Sequence, residues 1–480
     1  MISSPKQSDS GSRTGGPAIA APLDPGFQPA VVAAREYARQ ASQAPRPDRI
    51  DIALERERGL VARHTIPILP PGQAAMDDRT FRHVERTIKF MLWAWGGWRL
   101  FLAGPAWLCE RIARCYQPDG ARAFDADLMT RVYEKPFTVQ QVEMAGLPPA
   151  RESTLAIGGH LDGCRIGFDL GASDYKLAAV ANGEAVFSAE IPWNPKDQSD
   201  PQYHYQRIQE GLKQAAAHLP RVDAIGGSSA GVFVDNQVMV ASLFRSVPKA
   251  EFDRAVKPMF RRLGREWNVP LVVINDGDVT ALAGAMSLQK TAMLGVAMGS
   301  SQAAGYLDRQ GRITGWLNEL AFAPVDFNPN APPDEWSGDG GVGALYFSQQ
   351  AVNKLLPAAG IDAPAEAALP ERLKMVQDLM AKNDPRARAV FETIGVYLGY
   401  AIPYYREFYD FDNLLILGRV TSGPGGDIIL ERARAVLNGS FAELAARIEL
   451  HVPDEKSRRI GQAVAAASLP EIQTPSHQSR

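Results

Sequence analysis

Residues 166–191 constrain this chain more than any other stretch. Ile166-Gly167-Phe168-Asp169-Leu170 reads as a buried strand ending in an acid, and Gly171-Ala172-Ser173 as a tight turn carrying a hydroxyl. Asp174 to Val180 reads as a second strand. Asn182-Gly183 then makes another turn, since both of its positions favour positive φ, and Glu184 to Ile191 returns as a third strand. The first turn is expected to leave backbone N–H groups unpaired around Gly171, with Ser173 beside them. Such a cradle suits a phosphate, and Asp169 suits a magnesium ion or its waters.

The rest of the chain sets the frame for that hairpin. With 480 residues it exceeds one ordinary domain. Its 51 basic and 54 acidic residues leave a net charge of −3, so no global basic field invites nucleic acid. Cys109, Cys115 and Cys164 form no redox or metal spacing, and their scarcity fits a reducing cytoplasm. The longest apolar run, Phe90 to Leu108, is broken by Gly96-Gly97, Arg99 and Gly104-Pro105, so no membrane span is expected.

Residues 1–30, rich in Ser, Gly, Pro and Ala, read as a disordered tail without the apolar core of a signal peptide. Residues 31–160 form an extension without a recognisable chemical motif. Helix-forming Ala, Arg and Glu fill 31–62, a helix is expected over Asp77 to Trp95, a strand over Trp98 to Leu102 and a helix over Ala106 to Tyr116. From 161 the order becomes regular: three strands, then alternating helix and strand to about 290. A second block over 291–468 repeats the plan, opening on paired strands at Ala292 to Met298 and Ala303 to Asp308. An insertion at 323–385 interrupts it, and 469–480 reads as a second disordered tail. The expected fold class is α/β: two facing lobes around a cleft, preceded by an α+β segment.

Four further elements carry possible chemistry. In Leu271-Val272-Val273-Ile274-Asn275-Asp276 a wholly apolar strand ends in Asn-Asp and passes into a helix. Polar groups there sit where open α/β sheets bind ligands. Asp276 could take a hydroxyl proton during phosphoryl transfer and Asn275 could hold a neighbouring hydroxyl; that Asp276 or Asp278 merely caps the helix is the plainer alternative. Gly299-Ser300-Ser301, between two strands, could hold phosphates from the opposite wall; taken alone it reads as an ordinary hairpin turn. Gly418 to Gly423, between a buried strand and a helix, could lie against a nucleoside or donate N–H groups. Glu319 is a candidate hydroxyl-binding carboxylate, and Ser229 a candidate lining residue. The seven histidines are scattered and none pairs with cysteine, so no zinc site is expected. Neither a P-loop nor a dinucleotide fingerprint is present.

Together these residues resemble the actin-like ATPase superfamily and, within it, the ROK group of bacterial sugar kinases and repressors. The resemblance covers about 165–465. It rests on Asp169, Gly171, Ser173 and Lys176 as the first phosphate turn, Asn275-Asp276 as the catalytic strand end, Gly299-Ser300-Ser301 as the second phosphate loop and Gly418-Arg419 as the adenosine-side loop. It implies Asp276 as general base, Asn275 as sugar ligand, Mg²⁺ held through water near Asp169, and ATP as co-substrate. The departures are specific. The family's G-E-[IL]-G-H segment falls on Asn318-Glu319-Leu320-Ala321-Phe322, which keeps the glutamate but has phenylalanine for the zinc- and sugar-binding histidine. The cysteine-rich zinc loop is replaced by Trp336 to Gly343, and a second sugar-binding glutamate is replaced near Tyr346.

The expected activity is phosphorylation of a hydroxyl on a sugar or sugar-like small molecule. The alternative is a non-catalytic sugar- or nucleotide-binding regulator of the same fold. A homodimer is one expected assembly; no nucleic-acid or membrane partner is expected.

Overall fold

The computed structural model describes residues 17–152, 157–452 and 455–472, the side chains of 455–460 excepted. The chain opens on α1 (Ala30–Ser42), β1 (Asp48–Glu55), β2 (Val61–Ile68), α2 (Ala74–Trp95), β3 (Arg99–Ala103), α3 (Ala106–Cys115), α4 (Ala123–Tyr133) and β4 (Thr138–Gln141). These strands form one sheet in the order β2-β1-β3-β4. Residues 48–62, expected from composition to favour helix, are mostly strand. The alternation of Ile50, Ile52 and Leu54, all fully buried, outweighs the Ala, Arg and Glu content.

The first lobe follows: β5 (Cys164–Leu170), β6 (Asp174–Ala181), β7 (Glu184–Pro192), α5 (Pro201–Ala216), β8 (Ala224–Ser229), a small hairpin of β9 (Val232–Val234) and β10 (Gln237–Val240), the short α6 (Lys249–Glu251), α7 (Met259–Trp267) and β11 (Leu271–Asn275). Its sheet runs β11-β8-β5-β6-β7. Strands β5, β8 and β11 are parallel, with Leu170 level with Ser229 and Ser229 level with Asn275, so their carboxyl ends share one edge. The expected hairpins and strands at 165–191 are present, with Asn182 at φ 48° and Gly183 at φ 86° in the second turn.

Then come α8 (Asp276–Leu288), β12 (Met293–Met298), β13 (Gln302–Leu307), α9 (Gln349–Ala359), α10 (Leu369–Ala381), α11 (Pro385–Tyr405), β14 (Asn413–Leu417), α12 (Pro424–Ser440), α13 (Ala442–Ala445), β15 (Glu449–His451) and α14 (Glu455–Ala467). The second sheet runs β13-β12-β14-β15, with β12, β14 and β15 parallel.

Three features differ from the sequence expectation. First, α8 lies against β12 and β13 of the second sheet, while α14 lies against β5, β6 and β8 of the first. The two helices therefore meet between the sheets, where Gln462 Nε2 donates to Thr280 Oγ1 at 2.6 Å. Second, the extension shares one continuous hydrophobic core with the second lobe, joining Val84, Ile88 and Leu92 to Tyr346, Tyr397 and Ile416. Third, residues 17–29 do not behave as a tail. Phe27 is 4% exposed with its ring 4.6 Å from that of Tyr397, and the N–H groups of Ile19 and Leu23 donate to Tyr400 and Thr393. Two anchors, Ala21 and Phe27, outweigh the Pro- and Gly-rich composition around them. Leu469, expected in the closing tail, is likewise buried; residues 1–16 and 473–480 lie outside the described residues. No described helix is long and apolar enough to cross a membrane.

Candidate active site

Strand alternation places Arg165, Gly167 and Asp169 on one face of β5 and Ile166, Phe168 and Leu170 on the other. Asp169 is 6% exposed at the carboxyl end of the strand. Its Oδ1 accepts from Ser228 Oγ at 2.8 Å, and its Oδ2 lies 3.8 Å from Lys176 Nζ. Lys176 also lies 3.7 Å from Asp174, so it bridges two carboxylates across the hairpin. Burial raises the Asp169 pKa, with Lys176 and Ser228 opposing that rise.

Asp276 opens α8, directly after β11. Asn275 caps the helix: its Oδ1 accepts from Gly277 N at 2.7 Å. The amide of the same side chain donates to Gly231 O at 2.8 Å and faces Glu319 Oε1 at 3.5 Å. Capping was the alternative for Asp276 or Asp278; the residue that caps the helix is Asn275, with its oxygen, while its amide faces Glu319. Burial, and then the charge of Asp169, push Asp276 up to about 6. Glu319 is pushed up to about 8 by burial and by Asp276 and Asp278. Asp276 and Glu319 are half-buried, so both retain a solvent-facing side.

Asp278 completes the cluster and was not singled out as a site residue from sequence. It is 6% exposed, accepts from Asn318 Nδ2 at 2.9 Å and is pushed up to about 7 by burial. An acid facing inward on a helix otherwise carrying Val279, Ala281 and Leu282 was the available signal. Asn318 sits at φ 54°, a left-handed conformation that asparagine tolerates, and its Oδ1 accepts from Tyr409 at 3.1 Å. The N–H groups of Asn318 and Glu319 donate to Ala94 O and Trp93 O, each at 3.0 Å. The end of α2, in the extension, therefore sets the position of Glu319.

The first turn is more closed than expected. Gly171 N–H donates to Asp174 O at 3.0 Å and is not free for a phosphate. A methyl group there would lie 2.7 Å from Asp174 O, so the glycine serves the tightness of the turn. Ser173 is exposed and its Oγ donates to Asp174 Oδ2 at 2.9 Å. Ser229 lies one strand-end away with a fully buried Oγ that lacks a hydrogen-bond partner. Such an orphaned hydroxyl at the cleft edge is a group that a ligand or water would satisfy.

The second set of candidates gathers at the carboxyl ends of β12 and β14. Gly299 N–H closes its own turn on Ser301 O at 3.0 Å, a second departure from an open cradle, while Ser300 and Ser301 are exposed. Gly418, at φ 101°, fits against Met298, where a methyl group would come within 2.5 Å of the carbonyl oxygen. Gly423, at φ 66°, precedes α12 with open space beside it. The two sets are linked through α8. Gly277 and Gly305 touch backbone to backbone, which brings the start of α8 beside the middle of β13.

The positions where the resemblance loses its zinc ligands are filled from the extension. Phe322 packs its ring 4.4 Å from that of Trp93 and 5.5 Å from that of Phe124. Asp339 is surrounded by Arg86 at 2.6 Å, Arg122 at 3.0 Å and Lys89 at 3.2 Å. Tyr346, near which the family's second sugar-binding glutamate is replaced, is fully buried and donates to Asp326 Oδ2 at 2.6 Å.

No family model matches the chain, and no curated protein matches its sequence. Solved structures do. A ROK family transcriptional regulator, described as a homolog of the E. coli MLC protein, is 19% identical over 64% of this chain and 79% of its own, with a TM-score of 0.52. A ROK hexokinase from Thermus thermophilus is 17% identical over 63% of this chain and 97% of its own, at 0.49. A ROK family glucokinase from Streptomyces griseus, in complex with glucose and AMPPNP, is 17% identical over 64% and 98%, at 0.49. The fold of this chain is thus the two-lobed, actin-like fold of the ROK proteins.

Proposed function

We propose that this ROK-fold protein is an ATP-dependent phosphotransferase acting on a hydroxyl of a sugar or sugar-like substrate. One observation carries the reading: Asp276 stands half-buried where β11 ends, level with the ends of β8 and β5 that carry Ser229 and Asp169, with Asn275 and Glu319 beside it. Burial and Asp169 push it up to about 6, near where a general base works best at neutral pH. In the proposed step Asp276 accepts the proton of the substrate hydroxyl as that oxygen attacks the γ-phosphorus. The bond to the bridging oxygen breaks, ADP leaves with its electron pair, and Asp276 returns the proton to solvent. Asn275 and Glu319 orient the substrate. At neutral pH Glu319 is mostly protonated and offers a donor as well as an acceptor.

Ser229 and the turns at Ser173, Ser300 and Gly423 would hold the nucleotide phosphates, and Lys176 would add a positive charge beside them. Among the described residues no group of three or more His, Cys, Asp or Glu could hold a metal ion. Asp169 alone, acting through water, is compatible with Mg²⁺, which commonly keeps most of its waters. When bound there, the ion would offset negative charge on the phosphates.

The second reading, a regulator that binds sugar or nucleotide without turnover, is favoured by Phe322 and by the transcriptional regulator among the neighbours. Calorimetric titration with Mg-ATP followed by an ADP-release screen over hexoses and amino sugars separates the two. Substrate-dependent ADP release supports the kinase. Binding without release on any sugar supports the regulator.

A further inference from the structure

A cavity of about 960 Å³ lies away from the cleft, between α1, α2 and the segment 326–340. Its size is that of a small-molecule site. Helix α2 contributes Arg79, Arg82, His83 and Arg86, whose spacing puts all four on one face. The carboxylates around it are already engaged. Asp339 is held by three cations, Glu85 pairs with Arg122, Glu36 pairs with Arg39 at 2.8 Å, and Asp326 accepts from Tyr346. Arg79 forms no ion pair among the described residues; it donates to Gln40 at 2.6 Å and adds to the positive charge that holds the Glu36 carboxyl low. Arg82 is exposed, with no hydrogen bond or ion pair among the described residues. Two guanidinium groups one helical turn apart thus line a cavity whose carboxylates are held mainly by other partners. Beside them Tyr37 stacks on His83 at 4.1 Å, and burial pushes His83 down to about 3, so this flat wall is uncharged.

We propose that this cavity is a second ligand site, for a small phosphorylated polyol. Arg79 and Arg82 take the phosphate through charge-assisted hydrogen bonds, the geometry guanidinium groups favour. The side-chain amide of Gln28, without a hydrogen bond among the described residues, reaches the hydroxyls, and the carbon skeleton lies along Tyr37 and His83. The site is independent of the phosphotransfer reading. Its helix nonetheless continues to Trp93 and Ala94, which hold Asn318 and Glu319 about 20 Å further on at the helical rise.

Calorimetry on the full chain with glucose 6-phosphate tests the proposal. Wild type and Asp276→Asn are expected to bind it, and Arg79→Gln/Arg82→Gln to bind it at least about tenfold more weakly, from loss of two charged donors. Arg82→Gln alone, at an exposed side chain without a partner, gives the same direction of change without risk to the fold. Absence of binding to wild type overturns the proposal. Binding that both arginine variants retain at full strength also overturns it, since the ligand would then sit elsewhere.

Discussion

The carboxyl of Asp276, lifted first by burial, is lifted again by the negative charge of Asp169. The two acids thus interact across the edge where β5, β8 and β11 end, although 107 residues separate them in sequence, as 276 − 169 gives. Turnover should therefore fall as pH drops through about 6, where Asp276 gains its proton. Asp169→Asn removes the repelling charge, so the acid limb of the remaining activity should move to lower pH. A pH–rate profile of both proteins checks this; a limb that stays in place would separate the two groups.

Glu319 yields a stability prediction with a definite sign. Its pKa is raised from 4.5 to about 8, so between those values the folded state binds more protons than the unfolded. Its contribution is therefore most favourable at acid pH and is lost as pH rises through about 8. Glu319→Gln cannot ionise, so its melting temperature relative to wild type should rise with increasing pH across that window. Thermal melts in a pH series read the difference directly.

Asp339 behaves in the opposite way. Arg86, Lys89 and Arg122 outweigh burial and hold its carboxyl well below the usual range. Its stabilisation is present above the unfolded value of 3.8 and is lost only as pH falls through the lower folded value. Asp339→Asn leaves Arg86 without a carboxylate, while Lys89 keeps Asp125 and Arg122 keeps Glu85, and should cost about 3 kcal/mol at neutral pH, the low end for breaking a buried pair. Urea titration measures the loss, and the gap from wild type should narrow in acid.

Gly418→Ala places a methyl group 2.5 Å from Met298 O at a backbone φ of 101°. A cost of about 1–3 kcal/mol is expected from strain alone. Because Met298 leads into Gly299, nucleotide affinity should weaken as well, which titration with Mg-ATP would read. An unchanged affinity would detach Gly418 from the nucleotide side.

Much of the strand-end arrangement was legible because short-range physics writes it into the chain. The Asn182-Gly183 turn fixes a hairpin, and an apolar strand stops at Asn275, where α8 begins. What stayed hidden depends on long-range packing. Glu319 is placed by backbone hydrogen bonds to Trp93 and Ala94, and backbone groups leave no residue signature. The same holds for α14, whose return to the first sheet reverses the lobe that its sequence position suggests. Composition misled at 48–62, where alternation was the stronger signal, and over 17–29, where Ala21 and Phe27 anchor a Pro- and Gly-containing segment. Gly171 and Gly299 were read as open donors because a turn sequence does not say where its own N–H groups go.

The most direct measurement is sugar-dependent ADP release by Asp276→Asn beside wild type, on whichever sugar the screen identifies. The account predicts a normally folded variant that still binds Mg-ATP but turns over about 10²–10⁴-fold more slowly, the usual effect of removing a general base. Turnover equal to that of wild type would contradict it.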